Sequence, residues 1–254
     1  MEKKLEIAVT SVRSARQAAL GGADRLELCS NLDQGGLTPS LGLVQRVKAE
    51  VDIPVFVLIR PRKADFFYTE AEFEVMKADI IAAKAAGADG IVSGLLLPDG
   101  NLDLDRTATL LKAAAPLPFT FHRAFDMCLD PSTALHQLID LGVARILSSG
   151  QKATAIEGKE MLAQLVAQAA GNIIFLAGGG VRPGNINQLL HIEGLNEFHS
   201  SAKNKVKSQM IYKGATPMGS EQLEAEFEWH EVDVETVRKL RAELDPKNET
   251  GGNP

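Results

Sequence analysis

A short β-forming run, a polar or glycine-rich break and a stretch of helical periodicity recur along nearly the whole chain. That recurrence restricts the fold more than any other feature of the sequence. The runs are Leu5–Val9, Arg25–Leu28, Val55–Ile59, Gly90–Ser93, Phe119–His122, Arg145–Leu147, Ile173–Leu176 and Glu197–His199. Between them apolar residues return at helical spacing, as in Val12, Ala15, Ala18 and Ala19, or in Phe73, Met76, Ile80 and Ile81. Helix starts are marked by Thr69 three residues before Glu72 and by Asp130-Pro131. Helix ends are marked by Gly21-Gly22, Gly87, Gly142 and Gly171, since a left-handed cap favours glycine. Two exits share a phrase, Gly22-Ala23-Asp24 and Gly87-Ala88-Asp89, and Gly142-Val143-Ala144 is a third version. Strands joined this way are parallel, with right-handed helical crossovers. Eight such units can close into a (β/α)8 TIM-like barrel, an α/β fold of a single domain. A doubly wound open sheet is the alternative; the count and the lack of a domain-scale linker favour the barrel.

The barrel is expected over residues 1–244, with a polar tail at 245–254 read as disordered. Residues 202–231 break the rhythm as an insertion between the eighth strand and the last helix, about Val232–Leu244. This insertion carries Met210, Ile211, Tyr212, Met218, Phe227 and Trp229, apolar residues with no place in the βα pattern. Either it folds over the barrel mouth or it meets a second subunit; a two-fold homodimer is the expectation.

Charge narrows the function. Lys and Arg number 27 against 33 Asp and Glu, a net charge of −6, which excludes a general nucleic-acid or membrane-surface binder. No run approaches the roughly 18 apolar residues of a membrane span. Two cysteines, Cys29 and Cys128, form no zinc pattern and no disulfide framework. A cytoplasmic protein with reduced thiols is expected.

In a barrel of this kind the site lies where the strands end. Glu27 and Cys29 end the second strand, Arg60 and Arg62 the third, His122 the fifth with Asp126 close behind, and His199, Ser200 and Ser201 the eighth. The opposite ends read as mostly Leu, Ile, Val and Phe. For any single residue, a satisfied core group or a salt bridge such as Glu27 with Arg60 is the bland explanation. Together they favour a site at the mouth. Glu27 or His122 suits general acid/base work, with Asp126 and Arg60 beside them in the reacting set and both Arg60 and Arg62 placed to hold an anion. Gly178, Gly179 and Gly180 follow strand seven, ahead of a helix expected from about Gly184. Their backbone N–H groups, with the hydroxyls of Ser200 and Ser201, suit an anion such as phosphate. For metals, the mouth offers Cys29, His122 and His199; thiolate suits Cu(I), and imidazole suits several ions.

Read with their neighbours, several segments resemble the CutC family, described as copper homeostasis proteins. They include Gly22-Ala23-Asp24-Arg25-Leu26-Glu27-Leu28-Cys29, Gly35-Gly36-Leu37-Thr38-Pro39-Ser40 and Ile59-Arg60-Pro61-Arg62. Asp65-Phe66, Thr120-Phe121-His122-Arg123-Ala124-Phe125-Asp126, Ser148-Ser149-Gly150, Gly178-Gly179-Gly180 and Glu197-Phe198-His199-Ser200-Ser201-Ala202 also fit. The resemblance implies a TIM-like barrel and a role in cytosolic copper handling, with Cu(I) on Cys29 and help from histidine or methionine. Some members have a second cysteine near the end of strand one. Here that place holds Ala8, and Lys63-Ala64 stands where a glycine pair is usual. Two functions stay open at this point. One is copper homeostasis; the other is a barrel enzyme of lyase, isomerase or hydrolase type acting on a small phosphorylated or otherwise anionic substrate.

Overall fold

The structure is a computed structural model describing residues 2–216 and 223–245. Met218 and tail residues 246–254 lie outside the described residues. Eight parallel strands close into a barrel in chain order: β1 (Lys4–Val9), β2 (Arg25–Leu28), β3 (Val55–Leu58), β4 (Gly90–Ser93), β5 (Phe119–Phe121), β6 (Arg145–Ser148), β7 (Ile174–Ala177) and β8 (Glu197–Ser200). The helices between them are α1 (Val12–Leu20), α2 (Leu41–Lys48), α3 (Glu70–Ala85), α4 (Leu104–Ala114), α5 (Pro131–Asp140) and α6 (Lys159–Ala169), with α7 (Val234–Leu244) last. The expected α/β barrel is thus the observed one.

Local chemistry explains the boundaries. Thr69 and Glu72 form a capping box at the start of α3, and Asp130 caps α5 ahead of Pro131. The repeated Gly-Ala-Asp phrase does the same work twice. Asp24 accepts the Leu5 N–H at 2.6 Å and Asp89 accepts the Val55 N–H at 2.7 Å, so each aspartate secures the start of the preceding strand. Alternation along the strands divides the core. Leu5, Ile7, Val9, Leu26, Leu28, Val55 and Val57 pack with helix residues such as Ala15, Val44 and Met76. Phe56, Leu58, Val92 and Cys29 form a separate cluster. Each fully buried aliphatic side chain contributes roughly 1.5–3 kcal/mol.

Three findings differ from the sequence reading. The strand starts hold buried charge as well as aliphatics: Arg25 donates to Glu6 through Nε and to Glu197 through Nη2 (2.6 Å), and Arg145 donates to the same Glu197 oxygen at 3.0 Å. Both guanidinium groups lie over the Phe56 ring, at 4.9 and 5.5 Å from its centre. Sequence periodicity showed these arginines only as strand starts; their pairing is a matter of register, which sets Glu6 opposite Arg25. Second, the helix expected from Gly184 is only a 3-10 turn, Ile186–Gln188, so no helix N-terminus faces the triple glycine. Pro183, Gly184 and the asparagines 185 and 187 leave too little helix-forming sequence there.

Third, the described part of the insertion includes an antiparallel hairpin of β9 (Lys203–Lys207) and β10 (Glu228–Val232). It docks on α1: Glu231 accepts from Ser11 (2.6 Å) and Ser14, and the Ser14 hydroxyl accepts the Val232 N–H at 2.9 Å. No described residue of this arm lines the main mouth cavity. Met210, Ile211 and Tyr212 are exposed, and Trp229 is 45% exposed.

Candidate functional site at the barrel mouth

A cavity of about 440 Å³ opens at the strand ends. Alternation brings Ala8 and Glu27 from the first two strands to it, Arg60 from just beyond β3, His122 from the end of β5 and His199 from β8. At its floor, His199 Nδ1 is 2.7 Å from Glu6 Oε1, and His199 Nε2 is 3.9 Å from Glu27 Oε2. One donor atom from each of Glu6, Glu27 and His199 falls within 4.8 Å of the others. Glu6 lies beneath the cavity rather than in its lining.

The electrostatics of the three are tied together. Burial opposes ionisation of Glu6, but the Arg25 charge and the hydrogen bonds from His199 and Arg25 outweigh it and hold the carboxyl down at about 2. Burial also works against charge on His199, yet Glu27 and Glu6 raise its pKa. Glu27 accepts no hydrogen bond among the described residues; burial, with the Glu6 charge adding, pushes it up to about 7 despite His199 nearby.

On the β3 and β5 side, Arg60 is buried and spends its donors on backbone. Nη1 reaches the carbonyls of Gln34 (3.0 Å) and Gly36 (2.9 Å), and Nη2 that of Ala64 (2.9 Å). Its Nε has no partner, and no carboxylate pairs with it among the described residues. His122 accepts the Ala124 N–H on Nδ1 at 3.2 Å, which leaves the ring proton on Nε2, and that atom too is buried without a partner. Burial and the Arg60 charge hold His122 down at about 3, so the ring is neutral. Phe66 packs against both groups, 4.8 Å from the imidazole centre and 5.1 Å from the Arg60 carbon Cζ.

Opposite them, β7 and β8 end in Gly179 (φ 99°), Gly180 (φ 71°), Val181, Ser200 and Ser201, all in the cavity lining. The two glycines occupy left-handed backbone that other residues rarely adopt. The N–H groups of Gly179, Gly180 and Val181 have no partner among the described residues. Arg123 lies against Gly179: its Nη1 is 3.1 Å from where a Cβ there would sit, while its Nε donates to Asp126 at 2.7 Å. Asp126 also accepts from Ser148, from the Ser149 hydroxyl and N–H and from the Gln151 N–H, so its oxygens are fully taken.

Glu27, Arg60, His122, Asp126, Gly179, Gly180, His199, Ser200 and Ser201 therefore share one cavity, and Glu27 and Arg60 do not neutralise each other. Ser200 gives its hydroxyl to the Val181 carbonyl at 2.6 Å. Arg62 and Gly178 are outside the lining; Arg62 donates to Glu72 (2.6 Å) and Asp65 (2.9 Å) instead. Cys29 is fully buried in the small cluster with Leu58 and Val92 and does not reach the cavity. Burial, with the Glu27 charge adding, pushes its thiol far up. Cys128 lies beside Gln151 and is raised to about 11, chiefly by burial. Sequence reasoning missed Glu6, and gave no role to Arg123 or Val181. The signal for Glu6 was a lone carboxylate inside the apolar run Leu5–Val9.

The CutC family model matches residues 3–204. The human copper homeostasis protein cutC homolog is 47% identical over 239 residues, covering 94% of this chain and 88% of that protein. A CutC family protein of Chromobacterium violaceum is 44% identical over 246 residues, covering 96% and 99%. The crystal structure of a CutC protein from Streptococcus agalactiae superposes with a TM-score of 0.75 at 32% identity, covering 78% of this chain and 98% of that one. Thiamine phosphate pyrophosphorylase of Pyrococcus furiosus, at 16% identity and a TM-score of 0.58, shares the fold alone. With a barrel of this topology and sequence matches of this length, the chain belongs to the CutC family.

Proposed function

We propose that the chain serves copper homeostasis, the role stated in the names of its human and mouse relatives, with copper as cargo at the floor of the barrel mouth. The observation that carries this reading is the convergence of His199, Glu27 and Glu6. His199 Nε2 and the Glu27 carboxylate face one another as ligand atoms, and Glu6 orients the imidazole through its other nitrogen, as outer-shell carboxylates do in metal sites. Nitrogen and oxygen donors suit Cu(II) better than Cu(I). The thiolate site for Cu(I) fits poorly, because Cys29 is sealed in apolar packing and Ala8 supplies no second sulfur.

Calorimetric titration with Cu(II), and competition with a Cu(I) chelator, tests the assignment. His199→Gln is expected to weaken Cu(II) binding by about 10–100-fold, and Glu6→Gln by a similar factor. Cys29→Ser is expected to leave it unchanged. Loss of copper binding in Cys29→Ser with full binding in His199→Gln overturns it.

The working form we propose is a cytoplasmic homodimer. The thiols are unpaired, as a reducing compartment leaves them, and the arm exposes Met210, Ile211, Tyr212 and Trp229.

A further inference from the structure

The closed strand order sets β3 opposite β7 across the barrel, so the two ends of the mouth can be compared directly. One end offers Arg60 Nε and His122 Nε2, both N–H donors, both buried and both without an acceptor. Arg60 is also a buried cation with no carboxylate of its own among the described residues, an arrangement that calls for an anion. The other end offers the unclaimed N–H groups of Gly179, Gly180 and Val181, with Arg123 alongside and the Ser201 hydroxyl nearby. Successive N–H groups in left-handed backbone make a cradle for an oxyanion. The carboxylates in the same cavity do not fill these needs. Asp126 is saturated by its own donors, and Glu27 sits by His199.

We propose that the mouth binds a small molecule with acidic groups at both ends, a phosphate on the Gly179–Val181 backbone and Arg123, and a carboxylate on Arg60 and His122. The binding needs no metal and goes beyond the copper reading, although both use the same cavity. A volume of about 440 Å³ suits a ligand of this size. His122 is neutral, so it serves as a hydrogen-bond donor without adding charge, and Arg60 supplies the charge. Both N–H groups are shielded from solvent with the Phe66 ring packed beside them, so side chains at this end must shift for the carboxylate to reach them. The phosphate end is assigned to β7 because three backbone donors in sequence match the several oxygens of a phosphate.

The probes are inorganic phosphate, glycolate and 2-phosphoglycolate, titrated by calorimetry into the EDTA-treated full-length protein. 2-Phosphoglycolate is expected to bind at least about tenfold more tightly than inorganic phosphate, since it engages both ends. Ser201→Ala and Arg123→Met should weaken both phosphate-bearing probes. His122→Phe should weaken 2-phosphoglycolate by about tenfold and leave inorganic phosphate unchanged. Circular dichroism confirms that each variant is folded; if Arg123→Met is not, Ser201→Ala carries the same comparison. Equal affinity for phosphate and 2-phosphoglycolate in the unmodified protein overturns the proposal, as does His122→Phe binding 2-phosphoglycolate like the parent. Because metal is absent throughout, a failure here leaves the Cu(II) titration standing, and a failure there leaves this result standing.

Discussion

At the strand starts, Arg25 and Arg145 meet Glu6 and Glu197; at the strand ends, Arg60 donates hydrogen bonds only to carbonyls and His122 accepts one from a single backbone N–H. Both regions are buried inside the same barrel and both contain charge, yet their accounts close differently. In the lower set each guanidinium has a carboxylate, and Glu197 serves two of them. In the upper set two N–H donors have nothing to donate to, each at a cost of about 1–3 kcal/mol. Buried charge that is matched within the chain holds strands in register; buried donors left over mark where something from outside belongs.

The largest effect should come from breaking the matched set. Glu197→Ala leaves Arg25 and Arg145 short of a shared carboxylate, and should destabilise the fold by about 3–5 kcal/mol in urea denaturation. A loss under about 1 kcal/mol would mean that the lower network is no more structural than the upper one.

The unmatched set should respond to pH instead. His122 is held at about 3 in the folded protein against an ordinary value of 6.5, so the unfolded chain takes up a proton that the folded chain refuses. The resulting stability is complete above pH 6.5 and falls by about 1.4 kcal/mol per unit as the pH drops towards 3. His122→Phe should keep stability at pH 7 within about 1 kcal/mol of the parent. It should also recover about 2 kcal/mol of the parent's loss between pH 6.5 and 4.5. Parallel acid limbs in the two proteins would sink this reading of the imidazole.

The smallest effect on stability belongs to the arm, outside both regions. Trp229→Ala should move the unfolding free energy by only about 1 kcal/mol, since the residue is 45% exposed. In sedimentation it should shift dimer to monomer; an unchanged sedimentation coefficient would exclude Trp229 from the contact.

The strands were legible because three- to five-residue runs alternated with helical periods and the glycines stood where left-handed turns are needed: Gly22, Gly87, Gly142 and Gly171 all have positive φ. The site was legible only as a set of strand ends. Arg60 and Arg62 are the same residue type two positions apart, yet only Arg60 enters the cavity. The loop after Pro61 carries Arg62 to Glu72, which at the same time caps α3. Cys29 follows the expected alternation with Glu27, but the Asn31–Leu37 loop folds back over it. A Cβ on Gly36 would lie 3.6 Å from its sulfur and 2.7 Å from Leu58, so the absence of a side chain lets the loop seal the thiol. Neither outcome is written in local propensity; both depend on how loops return across the strand ends. Glu6 escaped notice because its partners Arg25 and His199 are set by register between β1, β2 and β8.

That register has a consequence for synthesis. β1 pairs with β2 on one side and β8 on the other, and Arg241 in α7 ties the N-terminal segment down through Asp24 and the Lys3 carbonyl. The barrel's own first strand therefore finds its second neighbour only after Glu197–Ser200 has been made. At ~5–20 residues per second, that interval is roughly 10–40 seconds. Throughout it the nascent chain carries an unpaired edge along Lys4–Val9, apolar in all but two positions and open to pairing with other chains. Long-range closure of this kind folds slowly, so the vulnerable stage for aggregation is the half-made barrel, and its vulnerable place is the oldest strand.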